Sequence, residues 1–484
     1  MLRLTTRHWG LLVLLLLGGI LRALVVHAYL PAFAFADSTS YLQVADTGRP
    51  QLHRPWGYSG LLAALDWLVP FRGVAIVQHA LGLVTIVLVY ALLQRRGVRR
   101  VVSCLAVLPL VLDGYVVQIE HYLMAESLYM LLLAVALVLL LWWDRPPWWA
   151  AAGAGIVLGL GAITRTVGLV VVGVVGVYWL ARLVRRTIGW RPVVAAAVGV
   201  AGVLVPYVLW FHAQTGIYAL TDYTGHFMYG RVAAFADCDR VDVPPRLHRL
   251  CPTEPVSERP VADWYVWHPD SPANKGGYSD EDLREFSQLI LRGQPLDFVT
   301  GTTAMTFHYF MPGRYGSPQD SCMAYWWFPD ERSWSYAAEG GCPARLARVG
   351  FGLEPTDTFI RLDTAAVLAG YQRWVFTPGP VLGLLALAGL SGLVPGRPRG
   401  RGRDRADGVF LVVVAVTLVA VPSATALFDY RYGLPMLVVL PVAAALSTRR
   451  WLSREPVVEP GAADRPDGAD PDPEPLSEPT PVGA

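Results

Sequence analysis

At 484 residues, 54% hydrophobic and 16% charged with a mean hydropathy of +0.40, the chain falls well below the roughly 25% charge of soluble domains. The shortfall lies in runs long enough to cross a hydrocarbon core of about 30 Å, which takes roughly 20 apolar residues. A soluble protein is therefore excluded. The net charge of +2 comes from arginine clusters between those runs and gives no argument for nucleic acid, while a single lysine, Lys275, against 39 arginines points to a GC-rich, actinobacterial-type genome.

The apolar runs fall at about 9–30, 73–93, 101–118, 122–142, 148–164, 167–184, 192–211, 376–394, 408–427 and 432–448. The first is longer than the apolar core of a secretory signal, and Arg22 and His27 are followed by no small-residue cleavage site. It is expected to stay as a helix. Directly after it stand Ala36-Asp37-Ser38-Thr39-Ser40-Tyr41 and then His53-Arg54-Pro55-Trp56-Gly57-Tyr58-Ser59-Gly60. An acid thus sits where an apolar helix meets water. The Pro/Gly/aromatic stretch behind it leads into an apolar run too short and interrupted to span, which reads as an amphipathic or re-entrant segment at the interface.

Arginines set the orientation. Clusters at Arg95, Arg96, Arg99 and Arg100, at Arg182, Arg185, Arg186 and Arg191, at Arg397 through Arg405, and at Arg449, Arg450 and Arg454 follow the second, sixth, eighth and tenth runs. Ten crossings put all of them on one side, with Arg3 and Arg7. Excess arginine marks the cytoplasmic face, so a multi-pass plasma-membrane protein with both termini inside is predicted. Residues 31–72 and 212–375 then lie outside.

The outer segment of 164 residues is large enough to be a domain. It holds Cys238, Cys251, Cys322 and Cys342, whereas Cys104 lies in an apolar run. Four cysteines in an oxidising compartment suggest two disulfides. Pairing 238 with 251 and 322 with 342 is the simplest of three connectivities, and zinc is the alternative, though no CxxC spacing is present. Acidic and apolar residues alternate at helical spacing over about 279–292, with Ser279 placed as an N-cap. From Glu455 onward, eight prolines and eight acidic residues in 30 positions predict a disordered cytoplasmic tail.

Several polar residues stand where apolar helices meet the outer face. Asp37 is either a solvated boundary residue or a base within reach of an acceptor hydroxyl. Glu120, His121 and Glu126 lie at the join of the third and fourth runs, in Gln118-Ile119-Glu120-His121-Tyr122-Leu123-Met124-Ala125-Glu126. Ionisable residues at the edge of spans are costly and mark function. Glu120 is the candidate second acid, and Glu126 is either a substrate contact or a partner of its helix N-terminus. Arg165 and Arg431 are outer-face arginines, opposite to the charge bias. Each suits a lipid phosphate through paired N–H donors; the alternatives are a headgroup anchor for Arg165 and an ion pair with Asp429 or a snorkelling anchor for Arg431. Arg54 and His53 are weaker candidates of the same kind, and Tyr41 and Tyr58 complete the substrate-binding set. No Walker loop, GxSxG, HExxH or strand-borne GxGxxG is present. Energy for synthesis must arrive in an activated donor.

Asp37 with Tyr41 and the Pro-aromatic-Gly-Tyr re-entry, followed in order by Met124-Ala125-Glu126-Ser127-Leu128-Tyr129, Thr164-Arg165-Thr166-Val167-Gly168-Leu169 and Arg431-Tyr432-Gly433-Leu434-Pro435, resembles the GT-C membrane glycosyltransferases. That superfamily includes the protein O-mannosyltransferases and the aminoarabinose transferases of lipid A. The resemblance implies transfer of a sugar from a polyprenyl-phosphate donor to an outer-face acceptor, with Asp37 as the catalytic or acceptor-positioning carboxylate. Ser38 stands where the usual pattern has a second acid. No metal site is expected, although a divalent ion is compatible with the family.

The expectation is therefore an all-α polytopic membrane bundle of about 10 transmembrane helices, GT-C-like, with a disulfide-bearing extracytoplasmic domain. Its parts are a catalytic membrane module over 1–211, the outer domain over 212–375, closing helices over 376–450 and a tail over 451–484. The expected reaction is hexosyl or pentosyl transfer with inversion, onto a glycan, lipid or protein. A flippase for lipid-linked saccharide is the alternative, but transporters show paired repeats and broken midplane helices, and no internal repeat is evident. A non-enzymatic envelope assembly protein is the third class.

Overall fold

The computed structural model describes residues 7–313, 326–330, 348–349, 356–357, 359–393 and 402–452. The chain is mostly helical. The N-terminal part runs through α1 (Trp9–Ala28), α2 (Ala36–Thr47), α3 (Gly57–Asp66), α4 (Gly73–Arg95), α5 (Arg100–Leu112), α6 (Gly114–Ile119), α7 (Glu126–Leu141), α8 (Trp148–Thr164), α9 (Val167–Val184) and α10 (Trp190–Thr215). Of these, α2 and α3 are the short elements that the re-entry pattern predicted.

The single run predicted at 101–118 is two helices. Asp113 breaks it: its carboxylate accepts from the backbone N–H of Tyr115 at 2.9 Å, capping α6, and from that of Thr377 at 2.6 Å. The next helix starts only at Glu126, with 122–125 outside it. These interruptions bear on the span count. Among the described residues six helices are long and apolar enough to cross a membrane, and a seventh span forms if Leu362–Trp374 and Gly379–Leu393, bent by 49°, act together. Arg100–Leu112, Glu126–Leu141 and Trp148–Thr164 are shorter apolar helices. Thirteen residues rise only about 20 Å, less than a hydrocarbon core, so ten full spans are not reached.

Between the membrane parts lie α11 (Thr224–Ala233), α12 (Ala262–Trp267), α13 (Pro272–Lys275), α14 (Asp280–Gly293) and α15 (Pro295–His308). They enclose a second apolar cluster that includes Tyr229, Leu247, Leu250, Leu283, Phe286 and Ile290. The Cys238–Cys251 disulfide borders it, as the simplest connectivity had it; Cys322 and Cys342 lie outside the described residues. Ser279 caps α14, its Oγ accepting from the Asp282 N–H at 3.1 Å while Asp282 accepts from the Ser279 N–H at 3.1 Å. Two-residue ladders supply the little β-structure, one pairing Tyr29–Leu30 antiparallel with Phe359–Ile360 and another joining Arg348–Val349 to Thr356–Asp357. The first ladder ties the stretch just before Leu362 to the end of α1.

The chain closes with α16 (Leu362–Trp374), α17 (Gly379–Leu390), α18 (Gly402–Thr425) and α19 (Met436–Leu452). Burial ranks the spans: 89% of the span over Tyr430–Arg449 is buried inside the protein, against 11% of that over Trp190–Thr215. Helix α19 is thus the central post and α10 a peripheral one. Helix α10 is held through small residues, because a Cβ on Gly155 would lie 2.1 Å from the Ala196 carbonyl oxygen and one on Gly199 2.3 Å from that of Ala152. Close backbone approach of this kind replaces the hydrophobic drive that lipid removes. Substituting Gly155→Val should push α8 and α10 apart at a cost of about 1–3 kcal/mol, read as a lower midpoint of thermal unfolding in detergent, while Gly202→Ala, at a position with open space around it, should leave that midpoint unchanged.

Candidate functional site

The site is assembled from five stretches of chain, and Arg431 is its hub. It lies on the one-turn segment Tyr430–Gly433 that leads into α19. Its Nε donates to Asp429 Oδ2 at 2.7 Å and its Nη1 to Asp37 Oδ2 at 3.0 Å, with Glu126 Oε1 at 3.6 Å. The ion pair with Asp429, one of the alternatives for Arg431, is therefore made, and a contact with Asp37 is made beside it. Asp37 also accepts from Arg54, and Glu126 accepts from Arg165. Three guanidinium groups and three carboxylates alternate in one chain of contacts.

Local structure explains how each arrives. Asp37 sits in the first turn of α2, where a helix N-terminus favours negative charge. Ser38, in the place of a second acid, is fully buried: its Oγ accepts from the Phe35 N–H and donates to the Leu123 carbonyl, both at 2.9 Å. Backbone bonds between Phe33 and both His121 and Leu123, at 2.9 Å, fasten the same loop to the α6–α7 join. Glu126 opens α7, and Arg165 occupies the two-residue break between α8 and α9. Aromatic rings surround the cations: Arg431 lies over Phe35, Trp326 and Tyr432 at 5.1–5.3 Å, Arg165 over Tyr432 at 5.0 Å, and Arg54 over Tyr41 at 5.7 Å.

The cluster is nearly closed. Asp37, Glu126 and Arg431 are 5%, 2% and 7% exposed, while the side chains of Arg54 and Arg165 reach 20% and 15% and form its open edge. Burial alone would raise the Asp37 carboxyl, but Arg54 and Arg431 outweigh it and hold the group below the ordinary carboxylate value. His53 touches Ser40 Oγ at 3.2 Å and stands edge-on to Tyr223 and Trp267. Burial, reinforced by Arg54, lowers it to about 4, so near neutral pH it is an uncharged wall residue. Tyr58 packs on Tyr41 and donates to Gln78 Oε1 at 2.7 Å, so its hydroxyl is committed to the scaffold.

Glu120 and His121 belong to a different network, and the expectation that Glu120 joins Asp37 as second acid is not met. Arg22 grips both Glu120 oxygens, at 2.7 and 2.8 Å, and spends its other N–H groups on the carbonyls of Gly18, Leu110 and Val111. His79 Nδ1 lies 2.9 Å from Glu120 Oε2, and its Nε2 lies 3.2 Å from His121 Nδ1. His121 Nε2 in turn reaches the Tyr29 carbonyl at 2.9 Å. A buried arginine on α1 takes up the charge of Glu120, and nothing in the pattern around 118–126 foretold that partner 98 positions away.

Asp263 is the residue that the sequence did not single out. It is half-buried on α12 and within electrostatic reach of Asp429, Asp37, Arg431 and Arg54. No described residue donates a hydrogen bond to it. Burial, with Asp429 and Asp37 adding to it, raises its carboxyl to about 7. Its setting in Asp263-Trp264-Tyr265-Val266-Trp267 reads as an aromatic surface stretch, and only the tertiary fold turns it toward the cations. Among the described residues no group of three His, Cys, Asp or Glu side chains is arranged to hold a metal ion.

Residues 66–221, about a third of the chain, match the family described as dolichyl-phosphate-mannose-protein mannosyltransferase. The resemblance to the GT-C membrane glycosyltransferases holds. The matched stretch contains Glu120, His121, Glu126 and Arg165, whereas Asp37, Arg54, Asp263 and Arg431 lie outside it. Among solved structures, the chain is similar to the protein O-mannosyltransferase Pmt1-Pmt2 complex of S. cerevisiae bound to the sugar donor, at 17% identity and a TM-score of 0.36, over 47% of this chain and 36% of that one. No curated protein matches it.

Removing one partner of a buried ion pair strands the other, typically at about 3–5 kcal/mol. Arg22→Met should therefore lower thermal stability in detergent by that order, and Arg22→Met with Glu120→Gln together should recover much of the loss, because no uncompensated charge then remains.

Proposed function

We propose that the protein is an integral-membrane glycosyltransferase that moves a sugar from a polyprenyl-phosphate donor to an acceptor hydroxyl at the outer face, with inversion. The observation that carries this reading is the convergence of Arg431, Arg54 and Asp37 with Arg165 and Glu126 of the family-matched stretch at one end of the bundle. Two polar atoms of the cluster, Arg54 Nε and Glu126 Oε2, are buried without a partner among the described residues. One is a donor suited to a phosphate oxygen and the other an acceptor suited to a sugar or acceptor hydroxyl. Groups of this kind are costly to leave unpaired, and a bound substrate would satisfy both.

In this reaction the acceptor oxygen attacks the anomeric carbon, the bond to the phosphate oxygen breaks, and its electron pair leaves with the phosphate. The hydroxyl proton passes to Asp37. Phosphate is already a good leaving group, so the arginines need only neutralise the charge that grows on it. The two roles are coupled. Each guanidinium N–H that turns to the donor phosphate is withdrawn from Asp37, and a carboxylate with fewer donors is a stronger base. The donor would thereby activate the base as it binds.

Asp37→Asn should reduce turnover by about 10²–10⁴-fold, the range for loss of a general base, with insertion and thermal stability retained. The assay is release of polyprenyl phosphate from polyprenyl-phosphate sugar by protein in detergent. Retained turnover would remove Asp37 from this role, and no release by the unaltered protein would favour a transporter or scaffold. Asp263 sets the pH dependence. Below about 7 it is neutral; above it, an added negative charge beside the cluster repels the donor phosphate. The donor KM should accordingly rise as pH passes through about 7, and Asp263→Asn should flatten that rise. An unchanged pH profile in Asp263→Asn would rule out this assignment.

A further inference from the structure

A groove of about 850 Å³ opens between α9 and α18 and runs along α9 away from the candidate site. One face of each helix lines it at helical spacing: Val170, Gly173, Val174 and Val177 from α9, and Val409 and Val413 from α18. The α9 side runs from Val170 to Arg185, about 22 Å at the rise of an α-helix, long enough for one lipid chain. Its walls are apolar, and its far end is not: Arg182, Arg185 and Arg405 all line it.

The acids at that end are already engaged. Asp407 is held by Arg96, Arg403 and the Tyr178 hydroxyl, Asp404 by Arg96 and Arg449, and Asp144 by Arg403. Arg182 is 7% exposed, gives its Nη2 to the Asp144 carbonyl at 2.8 Å, and keeps Nη1 buried with no partner among the described residues. Arg185 has no carboxylate partner among the described residues. A buried guanidinium nitrogen left unsatisfied beside a long apolar channel calls for an anionic group attached to a hydrocarbon chain. Such a group pairs with guanidinium through charge-assisted bonds, and the chain fills the groove.

We propose that this groove binds an anionic phospholipid, its phosphate on Arg182, Arg185 and Arg405 and one chain along α9 and α18. The site is separate from the candidate catalytic cluster and does not depend on the reading of that cluster. Its lipid would pin α9, whose opposite end begins beside Arg165, against α18.

The test is native mass spectrometry of the full chain in mild detergent, titrated with phosphatidylglycerol or with phosphatidylcholine of the same chains. The unaltered protein should retain phosphatidylglycerol preferentially, and Arg182→Gln with Arg185→Gln should erase that preference, at about fivefold per arginine. A Cβ on Gly173 would meet nothing within 4 Å, so Gly173→Leu can be built without a clash and fills the groove; it should reduce retention of both lipids. Equal retention of the two lipids by the unaltered protein, or a preference that survives both variants, would overturn the proposal. So would retention of glycerol phosphate as strong as that of phosphatidylglycerol, because the apolar walls would then contribute nothing.

Discussion

A guanidinium group 7% exposed and shared among Asp37, Asp429 and Glu126 is the constraint around which one end of the bundle is arranged. A buried charge is tolerated only when paired and hydrogen-bonded. Each of those carboxylates must therefore be delivered from its own stretch of chain: the α2 loop, the start of α7 and the turn before α19. The rest follows as a demand for rigidity. Ser38 anchors the loop to the Leu123 carbonyl, and aromatic faces hold the cations that have no further acid to meet.

The two polar networks divide the labour. Arg22, Glu120, His79 and His121 form a closed set in which nearly every donor has an acceptor, which suits a scaffold fixing α1, α4 and the α6–α7 join. The Arg431 set is incomplete, with buried polar atoms unpaired at Arg54 and Glu126. Satisfied networks specify a fold, whereas unsatisfied ones leave room for a ligand. This contrast, more than the identity of the residues, separates a site from a structural ion pair here.

Much of the site could be read from the residues because membrane placement makes polar groups conspicuous. Asp37, Glu126, Arg165 and Arg431 stood out against apolar runs, and they meet. Glu120 stood out by the same criterion and went elsewhere, since edge position does not reveal which distant arginine claims a carboxylate. Asp263 was hidden for the converse reason: in a polar outer segment one aspartate among aromatics looks ordinary. The third apolar run reads differently in the fold, because the Asp113 cap splits a stretch that hydropathy alone treats as continuous.

The near-complete burial of the span over Tyr430–Arg449 bears on biogenesis. A central post synthesised after the helices that enclose it can dock only once they are in place, and Arg431 rides at its N-terminal tip. Until that docking, Asp37 and Glu126 each lack the cation they share. The candidate cluster is thus complete only when the last helix of the chain is in place, so its assembly follows the order of translation.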